Sequence, residues 1–318
     1  MNSEALAYLV CPTCRRPLSA KIHREINGEV HEGSLHCSEC DAVYPIREGV
    51  PRFIVGTESR EVAESFGFQW RARERGKFEQ QTLYGLSASD ELAAFFRSLA
   101  MAPTEAKGAH MLDAGCGDGS LMRVVSGVVE AVVGIDINTS IDTAYRMCRG
   151  CQNVSVVAAD LFASPFPPAT FDIVWAEGVI VHTPDPRRAF RRLAELVKPG
   201  GTLYVWVYSK DRRAVYQRIR DLLVAPYRLP KNLLLGLSYA IAVPIFLTAR
   251  PYAAWRGRRG KGVDAKPSLR AVAFGLFDNL SPRFQSRHTV EEITRWFDEE
   301  GFRDVTQTGM IGMAGRKR

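Results

Sequence analysis

The sequence predicts a doubly wound α/β fold: a mostly parallel, seven-stranded sheet with helices on both faces. A small metal-stapled module precedes it, and a helical insertion falls near its C-terminal end. Three observations predict this. Between Gly108 and Ser209, five apolar runs alternate with helical patterns. The first run ends in a glycine-rich loop, Asp113-Ala-Gly115-Cys-Gly117-Asp-Gly119. Two Cys-x-x-Cys pairs, Cys11/Cys14 and Cys37/Cys40, stand ahead of it.

Composition sets the frame. The chain has 318 residues, 46% apolar and 24% charged, which excludes collagen-like, low-complexity and disordered classes. That length accommodates one large domain or two ordinary ones and needs no disulfide framework. Seven cysteines is an odd number, and the N-terminus lacks a basic stretch followed by an apolar one. The expected compartment is cytoplasmic, so paired cysteines are considered first as metal ligands. The net charge of +7 is local in origin: 14 basic and 3 acidic residues lie between Lys210 and Arg270.

The elements follow in order. Residues 1–57 hold four of the seven cysteines. Residues 58–107 read as helical and carry Phe66, Phe68, Trp70, Phe78 and Tyr84. Residues 108–318 form the main domain. HMLDAG, AVVGIDI, VSVVAAD, FDIVWAEG and TLYVWVY read as strands one to five. Helices are expected over SLMRVVSGV, Ser140 to Arg149, and Pro186 to Val197, the last stopped at Gly200. Apolar runs this short, separated by helices, indicate parallel strands buried on both faces and joined by right-handed crossovers. Thr289 with Glu292 is a capping-box signature for a late helix ending at Gly301. FRDVTQTG and MIGMAG then supply two closing strands. Residues 210–288 are an insertion between the fifth strand and that helix.

Two Cys-x-x-Cys knuckles 22 residues apart suit a tetrahedral four-thiolate zinc site of Cys11, Cys14, Cys37 and Cys40, with a hairpin between them. Four thiolates leave no open coordination position, so the zinc is structural, and its binding supplies folding energy that so short a segment lacks. The stretch LVCPTCRRPL…LHCSECDAVYPIREGVPRFI resembles the small zinc-ribbon proteins that activate tRNA, rRNA and protein methyltransferases. The resemblance covers residues 8–54. A third pair, Cys148/Cys151, has no companion and is incidental; Cys116 is a small packing residue within the loop.

Alternate glycines in the loop permit a tight strand-to-helix turn and close approach of a ligand at the carboxyl edge of the sheet. The pattern departs from the dinucleotide fingerprint and opens with a carboxylate, which suits a cationic ligand better than a pyrophosphate. Asp136 ends the second strand, where it can accept from two ribose hydroxyls, and Asp160 ends the third. Each acid alone could equally cap a helix. Together with VVGIDI, PFPPATFDIVWAEGVIVHTPDP and LAELVKPGGTLYV, the loop resembles the class I S-adenosylmethionine-dependent methyltransferases. The resemblance implies a cofactor site of Asp113, Gly115, Gly117, Gly119, Asp136, Ile137, Asp160, Leu161 and Glu177. Asp113 and Gly115 would lie near the methionine part, Asp136 on the ribose, and Asp160 and Leu161 around the adenine.

An acceptor hydroxyl requires a base. His182, after the fourth strand, is one candidate and His288 another; the alternatives are loop shaping for the first and a position before a helix cap for the second. The FGFQW segment is either a lid over the cofactor or ordinary helix packing. Within the insertion, Leu233 to Ala249 is uncharged, interrupted by Pro244 and flanked by Arg228, Lys231, Arg250, Arg256, Arg258 and Arg259. About 25 Å of helix falls short of a bilayer core of about 30 Å. Peripheral contact with anionic membrane, a substrate cap and an oligomer interface remain as roles for it. The text around FDNLSPRFQSRHTVEEITRWFDEEGF resembles a bacterial methyltransferase group often linked to sugar, polysaccharide or lipid substrates.

The leading expectation is methyl transfer to a small-molecule, sugar or lipid-linked acceptor. An rRNA or tRNA methyltransferase is the second, supported by the ribbon and the basic segment, but a nucleic-acid surface should not be interleaved with a long apolar run. A non-catalytic methyltransferase-like binding or activator protein is the third, against which the intact loop and acids argue.

Overall fold

The computed structural model describes residues 6, 8–54, 60–78, 87–210, 228–257, 268–309 and 311–318. Tyr84, residues 211–227 and 258–267 of the insertion, and Met310 lie outside the described residues.

The N-terminal module is a four-stranded antiparallel sheet of β1 (Ser19–Ile26), β2 (Glu29–His36), β3 (Val43–Arg47) and β4 (Val50–Pro51) in sequential order. Asn27 and Gly28 make the first hairpin turn with φ of 51° and 79°. Positive φ at both positions matches the twist of the flanking strands, and an Asn-Gly pair tolerates it. This is the hairpin expected between the cysteine pairs.

Residues 60–107 supply α1 (Arg60–Glu74) and α2 (Ala88–Leu99), the latter capped by Ser87, whose hydroxyl accepts from the Asp90 amide. The main sheet is built from β5 (His110–Ala114), β6 (Ala131–Asp136), β7 (Val154–Ala158), β8 (Phe171–Glu177) and β9 (Val197–Trp206), with α3 (Ser120–Val125), α4 (Asp142–Met147) and α5 (Pro186–Leu196) between them. Two short strands, β10 (Tyr208–Ser209) and β11 (Arg287–His288), pair in parallel and bring the two ends of the insertion together. The insertion contains α6 (Lys231–Gly257) and α7 (Leu269–Leu280). After it come α8 (Val290–Glu299), β12 (Phe302–Thr308) and β13 (Gly312–Lys317).

The seven strands lie in the order β12-β13-β9-β8-β5-β6-β7. β5 to β9 pair in parallel, and β13 is antiparallel to both its neighbours. Alternate residues feed opposite faces, as the two-residue period of a strand requires. Leu112, Val133 and Val174 pack with α5 and α8 through Phe190, Leu193 and Phe297. Met111, Val132 and Ile173 pack with α2 and α3 through Phe95, Leu99 and Met122.

Three local expectations change. Helix α5 stops at Leu196, and the KPGG stretch lies inside β9. Val197 pairs with Phe171 and Thr202 with Ile173, so the intervening residues bulge out, with Gly200 at φ 79°. The expected helix after β6 is trimmed to Asp142–Met147. Pro244 does not interrupt α6, which is described as one helix across it. That proline lies on the exposed side, where solvent can satisfy the carbonyl freed by its missing N–H. Thr289 does cap α8, its hydroxyl accepting from the Glu292 amide at 3.2 Å.

The zinc-ribbon module docks on the β7 edge of the main sheet. Arg52 pairs with Ala158 in parallel fashion, and the Phe53 amide donates to the Ala158 carbonyl at 2.7 Å. The Val10 amide donates to the Pro165 carbonyl at 2.8 Å, and Arg15 donates to the Ser164 carbonyl at 2.8 Å. Leu9, Leu35, Tyr44, Ile46 and Phe53 share one buried cluster with Val157, Phe166 and Phe171.

Candidate functional site

The four predicted metal ligands converge. Their sulfurs lie within 4.8 Å of one another. Individual separations are 3.5 Å for Cys11–Cys40, 3.3 Å for Cys14–Cys37 and 3.8 Å for Cys14–Cys40. A tetrahedron with metal–sulfur bonds of about 2.3 Å places its sulfurs about 3.8 Å apart, so the set fits zinc. None of the four is in a disulfide. Burial opposes ionisation of Cys11, but the Tyr44 hydroxyl and the Cys14 and Thr13 amides outweigh it and bring the thiol down to about 6. Cys148 is buried, with its Sγ 3.5 Å from the Gly119 carbonyl, and Cys116 shares a buried cluster with Met122 and also lines the cavity described next.

The second site is a cavity of about 510 Å³ at the carboxyl edge of β5, β6 and β8. Asp113, Gly115, Gly117, Asp136, Ile137, Asp160, Leu161 and Glu177 all line it. Gly119 is not among its lining residues; with φ 84° it turns the chain into α3. At Gly115 and Gly117 the need for glycine is twofold. Their φ values are 79° and 57°, and an added Cβ would lie 2.4 Å from Val179 Cγ2 and 2.6 Å from Trp70 Cζ2.

Asp136 holds the loop from across it. Its carboxylate accepts from the Gly117 amide at 2.9 Å and from the Asn138 amide at 2.8 Å. Burial nevertheless pushes this carboxyl up from its ordinary range. Asp160 accepts from the Phe162 amide at 2.9 Å, capping the turn that follows β7, so it is at once a cap and a wall of the cavity.

The end of the cavity beside Asp113 and Glu177 is acidic. Burial, with the charges of Glu177, Asp136 and Glu91 nearby, pushes Asp113 up to about 8. Glu177 faces the open space of the cavity yet is enclosed by protein, and that desolvation, with Glu91, raises it to about 7. Carboxyls so perturbed in a cleft mark a place built for an opposite charge.

Helix α1 lies over this floor and carries the FGFQW segment, part of which lines the cavity while Phe68 stacks on Phe277 of α7. Phe66 and Trp70 line the cavity, and a Cβ on Gly67 would meet Thr139 Oγ1 at 2.1 Å. Among the polar contacts that hold this helix, two lie beside the cavity. Arg73 is buried against the Asp118 carboxylate and also donates to Ser120 Oγ at 3.0 Å. Gln69 Nε2 donates to Asp278 Oδ1 at 2.8 Å. The latter contact reaches α7, which contributes Gly275, Asp278 and Asn279 to the cavity wall. Sequence reasoning missed Asp118, Asp278 and Asn279. Asp118 carried a signal, a carboxylate within the loop; the α7 pair carried none.

His182 lines the cavity and is 6% exposed. Its Nδ1 donates to the Phe284 carbonyl at 2.8 Å, and Phe66 and Tyr208 flank the ring edge-on. His288 does not join it. It is absent from the cavity lining, stacks edge-on against Trp296 and has Nε2 2.8 Å from Ser286 Oγ. Its place at the end of β11, just before the α8 cap, explains why.

Comparisons with known proteins match both parts. Residues 112–205 match the family model for a methyltransferase domain, and residues 4–49 the model for Trm112p-like proteins. The chain therefore joins a Trm112p-like zinc ribbon to a methyltransferase domain. The ubiquinone biosynthesis O-methyltransferase of Coxiella burnetii (strain RSA 493 / Nine Mile phase I) is 33% identical over 110 residues, 34% of this chain and 47% of that protein. The protein of the same name from Thiobacillus denitrificans is 35% identical over 111 residues, again 34% and 47%. The chain thus spans about half the length of the curated relatives it matches. Among solved structures, a complex of the Haloferax volcanii Trm112 methyltransferase activator with a putative methyltransferase aligns at TM-score 0.45. It has 16% identity and covers 77% of this chain and 78% of that one.

Proposed function

We propose that the chain is an S-adenosylmethionine-dependent methyltransferase acting on a small acceptor through a hydroxyl oxygen. The observation that carries it is the cavity, where a glycine loop, a ribose-facing acid and an acidic pair occupy one sheet edge. When bound, the cofactor supplies a sulfonium methyl group, and the protein's contribution is alignment and exclusion of water. Asp136 holds the ribose while fixing the loop through Gly117. Asp113 and Glu177 favour the cationic end. Ile137, Leu161 and Phe162 offer an apolar slot for the base. Phe66, Trp70 and the α7 wall keep water out.

On the acceptor side, His182 is the group able to take a proton. Donation from Nδ1 to the Phe284 carbonyl leaves Nε2 as the basic nitrogen of the neutral ring. Phe66, Trp206, Tyr208 and Phe284 line the same cavity and favour a partly apolar acceptor; the named relatives are O-methyltransferases.

Asp136→Ala removes the ribose acceptor and loosens the loop, with an expected loss of cofactor affinity of roughly ten- to a hundredfold. Calorimetric titration with S-adenosylmethionine checks this, and unchanged affinity would refute the assignment. Transfer of a labelled methyl group to small-molecule, lipid and RNA fractions then sorts the acceptor classes.

A pH dependence follows from the acidic pair. Both carboxyls have raised folded pKa values, about 8 for Asp113 and about 7 for Glu177. Below an unfolded value of about 4 they are neutral in either state and cost nothing. As pH rises from about 4 towards the folded values, the unfolded chain releases these protons while the folded one keeps them, so the ligand-free protein loses stability; above about 8 the folded chain buries the charge and the loss levels off. A cationic ligand reverses this. The rise in melting temperature on adding S-adenosylmethionine is expected to be larger at pH about 8 than at about 6. A smaller rise at the higher pH contradicts the pairing of these acids with a cation.

A further inference from the structure

We propose that the exposed face of α6 docks in the plane of an anionic lipid surface. The helix has two unlike sides. Leu234, Ser238 and Ala242, at four-residue spacing, are fully buried, and α6 shares a cluster with Phe274 and Phe277 of α7 and with Phe78. Outside that narrow stripe, every exposed position from 233 to 247 is apolar. Leu233 is 58% exposed, Leu237 40%, Ile241 37%, Val243 42%, Ile245 42% and Leu247 60%. A helix facing water normally turns charged residues outward, so a wide apolar arc without one is built to meet another apolar phase.

The geometry selects how a membrane would be met. Fifteen residues of helix span about 22 Å, short of a bilayer core of about 30 Å. Among the described residues, no helix is long and apolar enough to cross a membrane. The inner side of α6 is already covered by protein, which leaves only its outer side to enter lipid. That is the arrangement of a helix lying along the interface.

Charge selects the occupant. The apolar arc sits in the segment from Lys210 to Arg270, with 14 basic and 3 acidic residues in a chain of net charge +7. Arg228 precedes α6 and is exposed, and Arg250 and Arg256 follow the arc within the helix. A second copy of this chain would bring two such segments together and be repelled, whereas anionic headgroups complement them. A nucleic acid would be attracted to the charge but find no polar or stacking side chain along the arc. Because α6 packs on α7, which contributes Asp278 and Asn279 to the cavity wall, docking would hold the cavity one helix layer from the lipid.

The test uses the full chain and vesicles of phosphatidylcholine, alone or mixed with phosphatidylglycerol. Co-sedimentation with the mixed vesicles is expected. It should weaken from about 0.1 M to about 1 M salt, as the screening length falls from about 10 Å to about 3 Å. Leu237→Glu with Ile241→Glu should reduce partitioning at least about tenfold, because two apolar side chains no longer enter lipid. Cofactor binding should be unchanged, which shows that the variant folds; Leu237→Ser with Leu247→Ser is the milder companion. Absence of binding to the mixed vesicles by the unaltered chain, or equal binding by the variants, overturns the proposal. So does a lipid-free dimer in sedimentation velocity that the same substitutions dissociate, since that assigns the face to a second copy. Failure of the chain to bind S-adenosylmethionine would refute the proposed activity and leave this result untouched.

Discussion

Removing the metal from the four-cysteine site is expected to unfold the ribbon and to lower the stability of the entire chain. Structural zinc contributes about 10–16 kcal/mol to modules of this kind, more than the net stability of most domains. The loss should not stay local. The ribbon's Leu9, Tyr44 and Phe53 are buried in the same cluster as Val157, Phe166 and Phe171, so its collapse exposes apolar surface of the main sheet. One zinc per chain by metal analysis, and a marked drop in melting temperature with chelator or in Cys37→Ser, are the expected results. A chain that melts identically with and without metal would show that the four sulfurs gather without needing an ion.

The second large effect is expected at α1. Arg73 and Asp118, 3% and 4% exposed, form an ion pair between α1 and the glycine loop. Arg73→Met keeps the bulk of the side chain but leaves a buried carboxylate without its cation, at an expected cost of about 3–5 kcal/mol. Urea denaturation measures it. Adding Asp118→Ala should restore part of the loss, because the orphaned charge goes with it. If the double variant is no more stable than Arg73→Met, the pair is not what couples α1 to the loop. Cofactor affinity should fall in the single variant as well, since Trp70 is carried on the same helix over Gly117.

What could be seen in the residue string was local in origin. The zinc-site cysteine pairs, the glycine loop and the acids at strand ends each depend on spacings of a few residues, and all but Gly119 came together, the cysteines in one cluster and the rest around one cavity. The strands were legible because each is an apolar run between turn signals. Contacts across long separations were not. Arg73 meets Asp118 from 45 residues away, and Gln69 meets Asp278 from 209. Nothing in the pattern around Asp278 distinguishes it from a solvated acid. The KPGG bulge in β9 was hidden because a glycine at positive φ ends a helix as readily as it bulges a strand. His288 stood beside His182 as a candidate because the sequence does not show where its ring points; the structure places it in β11, with its ring against Trp296.

The ribbon meets the sheet through backbone pairing of Arg52 and Phe53 with Ala158 at the β7 edge. Carried on the same chain, with Arg60 of α1 following Phe53 closely in sequence, this contact is intramolecular. Its occupancy is governed by an effective concentration that short linkers place in the millimolar range, and dilution does not change it. Even an interface too weak to survive between separate molecules would remain closed here. The two modules are thereby made in equal number and cannot be titrated apart, and neither can be exchanged for another ribbon or another catalytic domain without outcompeting its own tether.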